Sequence, residues 1–429
     1  MLKNSSTDLH INQDLFVRLQ VQYLLQQTIS LWWECENNAY PEMPSYTGHL
    51  QDTNEKQLGL FTNELSQQAR RLPKTPSEIQ KVHQQISNKY SRLACSILGF
   101  EKSQLDFIQS SGLAEVLVDF AQMARCFDPQ ISGEDIYQAG RNVMTMNLLQ
   151  LLLNLPVQIS PAIFAYSMLY PYSDNYLDDP SISSQTKLTF GEHFKRRLNG
   201  ELIRPANQRE QTIFDLIGMV EGQFERAQYP QVYQSLNAIQ DAQQKSLKLQ
   251  HINTSPYDTN ILEIVFEKGG TAVLADGYLV AGSLSPAEAD FMFTYGVFTQ
   301  LMDDLEDVQQ DLKDGILTLF SQSARLKIPL DGLTNRTFAM GQILLNRLDC
   351  FNSTAQKPIR EILQKSIHPL LIVSAAGLGS YYSRGYLSEL ENHLPFHYSF
   401  LSKQRKKIIR QKTTLTRLAE ILVLRTKLD

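Results

Sequence analysis

The sequence predicts an all-α protein, and three observations carry that prediction. Apolar residues recur at helical spacing along most of the 429 residues. Strand-type alternation bounded by turn signals is hard to find. Helix-start chemistry stands directly before periodic runs. It is clearest in SPAE at 285–288, where Ser285 suits an N-cap, Pro286 the first helical position and Glu288 the returning partner of a capping box.

Taken in order, residues 13–36 and 79–99 read as amphipathic helices. Between them lies a polar, proline-containing loop around YPEMPSYTGHLQDTN and a second break, LPKTPSEIQ, with Thr75 or Ser77 as N-cap. From about residue 134 the pattern turns more apolar through IYQAGRNVMTMNLLQLLLNLP. SPAIFAYSMLYPYSDNYLDD then forms a helix that Pro180 stops and Pro171 should kink. Residues 207–250 are polar, helical and rich in glutamine, and ILEIVFEKGGTAVLADGYLVAG is a short apolar helix with glycines. The helix opened by Ser285 can run to about Asp314, with Gly315 as its stop. Residues 401–429 read as a basic amphipathic helix, solvated or packed, which could also touch an anionic membrane surface. The chain therefore divides into an N-terminal helical region (1–130), a central bundle (131–400) and this terminal helix.

Composition narrows the function. With 42% hydrophobic and 20% charged residues the chain is globular, and a formal net charge of −5 gives no general attraction to nucleic acid. Cys35, Cys95, Cys126 and Cys350 lie far apart without CxxC spacing, which argues against a zinc site or a disulfide framework and for reduced, buried thiols in the cytoplasm. The N-terminus lacks the apolar stretch of a secretory signal, and no run reaches the ~18 apolar residues of a membrane span.

Two acidic clusters stand where helices end. Asp174 and Asp178 are four apart and share a face, with Asp179 beside them; Asp303, Asp307 and Asp311 form an i, i+4, i+8 row with Asp304 next to it. At an effective dielectric near 20, two like charges 4 Å apart repel by roughly 4 kcal/mol, so such rows need positive charge over them. Oxygen ligands without histidine or cysteine point to Mg²⁺, which takes one or two carboxylates and completes its shell with water and phosphate oxygens. Two facing rows suit a diphosphate, clamped through bridging cations and stabilised as a leaving group. Either cluster alone also reads as a solvated acidic helix end. Neither has the D-x-D-x-D-G loop of an EF-hand.

QLMDDLEDVQQDLKDGILTL resembles the second aspartate-rich motif of trans-isoprenyl diphosphate synthases, and DNYLDD resembles the first motif in the DxxxD form of head-to-head and bacterial large-terpene synthases. The likeness covers roughly residues 140–390. It implies an all-α, isoprenoid-synthase-type bundle around a central cavity, three Mg²⁺ and ionisation of an allylic prenyl diphosphate to a carbocation, in a homodimer. By the same resemblance Asp174 and Asp178 would match the first ligand set and Asp303, Asp304 and Asp307 the second, with Asp179 and Asp311 as additional candidate ligands and Asp174, Asp178, Asp303 and Asp307 catalytic. Lys268 in EKGGT is similar to the family's diphosphate-binding lysine; two glycines separate it from Thr271 and would relax the helix there. Arg196, Arg197 and Arg384 are further candidates for the diphosphate. Arg196 and Arg197 come later in the chain than the arginine pair of chain-elongating enzymes.

A carbocation is best held by apolar walls and aromatic faces, each worth ~0.5–2 kcal/mol as a cation–π contact. Tyr166 and Tyr170 precede the first acids at helical spacing; Phe293, Gly296, Thr299 and Gln300 precede the second. The same residues also read as ordinary helix core. The function expected is therefore a class I terpene synthase that cyclises or deprotonates the cation. The runner-up is a prenyltransferase, elongating or condensing head to head, and a non-catalytic helical scaffold is the reading from another class.

Overall fold

Both expected helix starts are formed by their side chains. Ser285 accepts from the Glu288 amide while the Glu288 carboxylate accepts from the Ser285 amide at 2.7 Å, and Thr75 and Glu78 make the same capping box. The computed structural model describes residues 16–178, 182–250 and 260–424, apart from the side chains of 174, 175, 177, 178, 184, 250, 419, 420 and 422–424. Among the described residues every regular element is helical, so the chain is all-α. The first six helices are α1 (Phe16–Glu34), α2 (Gly48–Arg70), α3 (Pro76–Leu98), α4 (Lys102–Ser110), α5 (Leu113–Phe127) and α6 (Gly133–Leu152). The next six are α7 (Pro161–Asp178), α8 (Ser184–Leu198), α9 (Gln208–Gln223), α10 (Pro230–Ser246), α11 (Ile261–Ala281) and α12 (Pro286–Glu306). The chain closes with α13 (Val308–Asp314), α14 (Leu319–Arg325), α15 (Asp331–Arg347), α16 (Gln356–Ala376), α17 (Arg384–Glu391), α18 (Tyr398–Arg410) and α19 (Lys412–Leu424).

Several expectations change. The loop after residue 40 ends at Thr47, whose hydroxyl caps α2. That helix escapes a search for apolar periodicity because its buried side is largely polar. Gln51 donates to the carbonyls of Glu391 and Leu394, and Asn54 to that of Pro395. The C-terminal segment is two helices broken at Gln411 rather than one. Pro171 lies inside an unbroken α7. All four thiols are free, but Cys95 and Cys126 are exposed rather than buried. No helix among the described residues is long and apolar enough to cross a membrane.

The core is organised around α11, which packs on α12, α10, α1, α6 and α7. From Ile264 to Leu279 every residue of α11 is buried except Lys268 and Ala272. The N-terminal α1 belongs to the same core: its Val17, Val21, Leu24, Leu25 and Trp32 are buried in it, with the Trp32 ring edge-on to Phe266.

The glycines of EKGGT do not loosen α11; they let it touch α12 backbone to backbone. A Cβ on Gly269 would lie 2.6 Å from the Gly296 carbonyl oxygen, one on Gly270 2.4 Å from the Phe293 ring, and one on Gly296 2.1 Å from the Gly269 oxygen. Backbone atoms in two packed helices cannot yield as a side-chain tip can. Gly296→Ala is therefore expected to destabilise by about 3 kcal/mol, at the upper end of overpacking costs. Gly59→Ala, facing open space in α2, is expected to gain up to ~1 kcal/mol of helix propensity. Urea unfolding of the two variants checks this; equal midpoints would show that the helices are not so close.

Candidate active site at the end of the α11–α12 pair

The aspartates of the second cluster do not stay on one face, because α12 stops at Asp307 (φ −92°, ψ 5°) instead of running to Asp314. Gly315 ends α13 at φ +75°, a left-handed conformation that favours glycine. The expected row splits into an outer and an inner pair. Asp303 and Asp307 are exposed, and Asp303 meets the Arg141 guanidinium of α6 at 3.3 Å. Asp304 and Asp311 are buried. Gln300 donates to one oxygen of Asp304 at 2.7 Å; the other oxygen, Oδ2, is buried with no hydrogen-bond partner. Thr318 lies 3.5 Å from Asp311.

Burial pushes the carboxyls of Asp304 and Asp311 up to about 7, with Asp307 adding to the effect at Asp311. The Lys268 ammonium is close enough to oppose the rise at both. Desolvation also raises Asp303, although half of its side chain is exposed, with Arg141 opposing, and it raises Asp307, helped by Glu306. The helix end is thus a crowd of carboxylates short of positive charge, with one cation on each side.

Lys268 and Ala272, the two less-buried positions between Ile264 and Leu279, line a cavity of ≈100 Å³ together with Tyr166, Tyr170 and Ser173 of α7 and Gln300 of α12. Asn142 of α6, Phe194 and Leu198 of α8, and Leu236 and Ile239 of α10 complete much of its wall. Both acid-bearing helices therefore border one space. Asp174 and Asp178 lie in the last two turns of α7, beyond Tyr170, and their side chains are outside the described set, as is Asp179 altogether.

Other expected residues lie elsewhere. Phe293 and Gly296 form the α11–α12 seam rather than the cavity, and half-buried Thr299 donates to the Gly296 carbonyl at 3.0 Å. Thr271 is buried and donates to the Glu267 carbonyl at 2.6 Å. Arg196 pairs with Glu201 at 2.7 Å, and Arg197 forks onto Glu221 at 2.7 and 2.5 Å, so both already face carboxylates. Arg384 is exposed in the first turn of α17, which Ser383 caps.

Three residues at the site were missed in the sequence. Arg141 is a lone arginine in an otherwise uninformative stretch, and nothing in its spacing predicts that it reaches Asp303. Asp276 had a usable signal, a single acid inside the apolar run TAVLADGYLV, eight residues after Lys268 on the same helix face. It is 2% exposed, its Oδ1 has no partner, and burial raises its carboxyl well above the carboxylate range, with a hydrogen bond from Asn142 opposing. Asn142 also donates to Ser167 at 3.2 Å, tying the cavity wall to α7.

The residues suit a hard divalent cation. The donors are all oxygen, and the outer pair is solvent-accessible. The buried free oxygen of Asp304 is a polar group short of a partner. Their oxygens are too spread to enclose one ion: among the described residues the only three candidate ligands with atoms within 4.8 Å of one another are Asp52, Glu55 and His397. That trio is accounted for by helix capping, since Glu55 accepts at 2.8 Å from the His397 amide at the start of α18. Spread carboxylates fit Mg²⁺ held by one or two of them each, with phosphate oxygens closing the shell.

Fold and site together define an all-α chain with an acidic, cation-flanked helix end above an aromatic-edged cavity. No family model matches the chain, and no curated protein does. Among solved structures it is similar to geranylgeranyl pyrophosphate synthase from Corynebacterium glutamicum, over 69% of this chain and 93% of that one, at 14% identity and a TM-score of 0.29. A superposition that loose fixes neither family nor activity.

Proposed function

We propose that the chain is a class I isoprenoid enzyme, and within that class a terpene synthase acting on an allylic prenyl diphosphate. The observation that carries the reading is the placement of Lys268 between the cavity and the buried pair Asp304 and Asp311, with Arg141 on the outer pair. Asp303 and Asp307 at the end of α12, with Asp174 and Asp178 of α7, are the residues that would hold Mg²⁺. Bound there, Mg²⁺ supplies the positive charge that makes diphosphate a good leaving group.

This chain's own groups do the rest. Lys268 and Arg141 hold diphosphate oxygens and stabilise the charge that develops as the C–O bond breaks. Tyr166 and Tyr170 line the cavity and supply aromatic rings for the cation, and the Phe194, Leu236 and Ile239 walls keep water from it. The space of ≈100 Å³ is small, so binding a prenyl chain requires these walls to part. The carboxylate partners of Arg196 and Arg197 support a single diphosphate site, hence a synthase rather than chain elongation.

The test is incubation with Mg²⁺ and each of the C10 to C25 allylic diphosphates, with and without isopentenyl diphosphate, following released diphosphate and extracted products. A hydrocarbon or alcohol from one allylic substrate alone is expected. Longer diphosphates formed only with isopentenyl diphosphate would replace this reading with the prenyltransferase. No diphosphate release from any of them would leave the helical scaffold.

A further inference from the structure

The basic segment near the C-terminus forms a surface that the proposed chemistry does not use. Between Glu391 and Glu420 the sequence has no acidic residue and seven basic ones, five of them on α18. Lys412 is neutralised by Glu134 at 3.1 Å, and Lys407 turns back to the Asn63 side chain. Lys403, Arg405, Lys406 and Arg410 are exposed, and none makes an ion pair among the described residues. Lys403, Lys406 and Arg410 fall at i, i+3 and i+7, one helix face, and with Lys407 and Gln411 line an open hollow of ≈400 Å³.

Ile409 flanks this band next to Lys406, while Ile408 lies at the far rim of the exposed arc, beyond Arg405. Ile408 is 51% and Ile409 61% exposed, and Arg405 sits between them on the helical wheel. A helix whose exposed arc carries a basic band with aliphatic side chains toward one flank has the composition of an interfacial helix, with cations at headgroup phosphates and apolar tips at the acyl boundary. Nucleic acid fits less well. Tyr398 and Phe400 are half-buried, so the exposed arc offers no ring on which a base would stack.

We propose that the outer face of α18 docks on an anionic lipid surface. The inference stands independently of the enzymatic reading. The test is co-sedimentation of the full chain with vesicles of phosphatidylcholine alone or mixed with phosphatidylserine, at low and high salt.

Binding is expected to the mixed vesicles only, weakening as salt screens it. Each cation lost should cost roughly fivefold. Lys406→Glu alone should then show a clear loss, and the triple variant Lys403→Glu, Lys406→Glu, Arg410→Glu more than a tenfold one. Ile408→Ser with Ile409→Ser should weaken binding a few-fold and leave the salt dependence unchanged. Circular dichroism and diphosphate release in solution should not change in these variants, which separates this proposal from the one above. Equal binding to both vesicle types, none to either at low salt, or wild-type binding by both charge variants would overturn it. So would retention on RNA in the absence of vesicle binding.

Discussion

Asp303→Asn and Asp307→Asn are each expected to lower Mg²⁺-dependent diphosphate release by about 10²–10³-fold, the loss typical of removing one preorganised charge contact to a developing anion. Both side chains are exposed at the helix end. Substitution should therefore move stability by no more than ~0.5 kcal/mol, and the loss would be catalytic rather than structural. Asp303→Asn also releases Arg141 from its 3.3 Å pair, and Arg141→Ala should be the milder change, lowering both substrate binding and the rate of the chemical step. Single-turnover release at saturating substrate separates the two effects. Wild-type rates in both aspartate variants would remove the second cluster from the site and with it the proposed chemistry.

The second large effect is on pH. Asp304 and Asp311 have an ordinary carboxylate value of 3.8 and are pushed to about 7 in the fold. Between those values the folded chain holds protons that the unfolded chain has released. Their contribution to stability is therefore complete below about pH 4 and is lost as pH rises through about 7. The slope approaches ~1.4 kcal/mol per pH unit for each group that stays protonated. Metal-free protein should accordingly unfold at lower urea as pH rises from 5 to 7. Asp304→Asn and Asp311→Asn, which cannot ionise, should each flatten that fall. Mg²⁺ with inorganic diphosphate should oppose it, because cations held on the neighbouring Asp303 and Asp307 favour the ionised forms of Asp304 and Asp311 and drive off their protons. Its affinity should tighten by up to about tenfold per pH unit for each proton displaced. Parallel pH–stability curves for wild type and Asp304→Asn would show that this carboxyl is already ionised in the fold.

Reading the sequence went furthest where chemistry is local. The helix starts at Thr75 and Ser285 and the stop at Gly315 follow from capping and turn conformation, while the expected stop at Pro180 lies outside the described residues. It failed where a helix buries polar groups: Gln51 and Asn54 of α2 bond to carbonyls some 340 residues away, a pairing no local window contains. The site divided the same way. Tyr166 and Tyr170 were picked out by spacing from the acids and Lys268 by its resemblance to a diphosphate-binding lysine, and all three line the cavity with Gln300. Phe293 and Gly296 were picked out by the same spacing and lie in the helix seam instead.

By itself, then, the sequence determined the helical class, the oxygen-only donor set and the crowding of like charge, because residue type and separation along one helix are enough for those. Only the tertiary structure decided which carboxylates face water and which are buried, that Arg141 rather than Arg196 or Arg197 reaches them, and that Asp276 lies beside Asn142 behind the cavity wall. Those outcomes depend on the break at Asp307 and on how closely three glycines let α11 approach α12. Burial and long-range pairing are properties of neighbours in space, and residue order along the chain carries them only weakly.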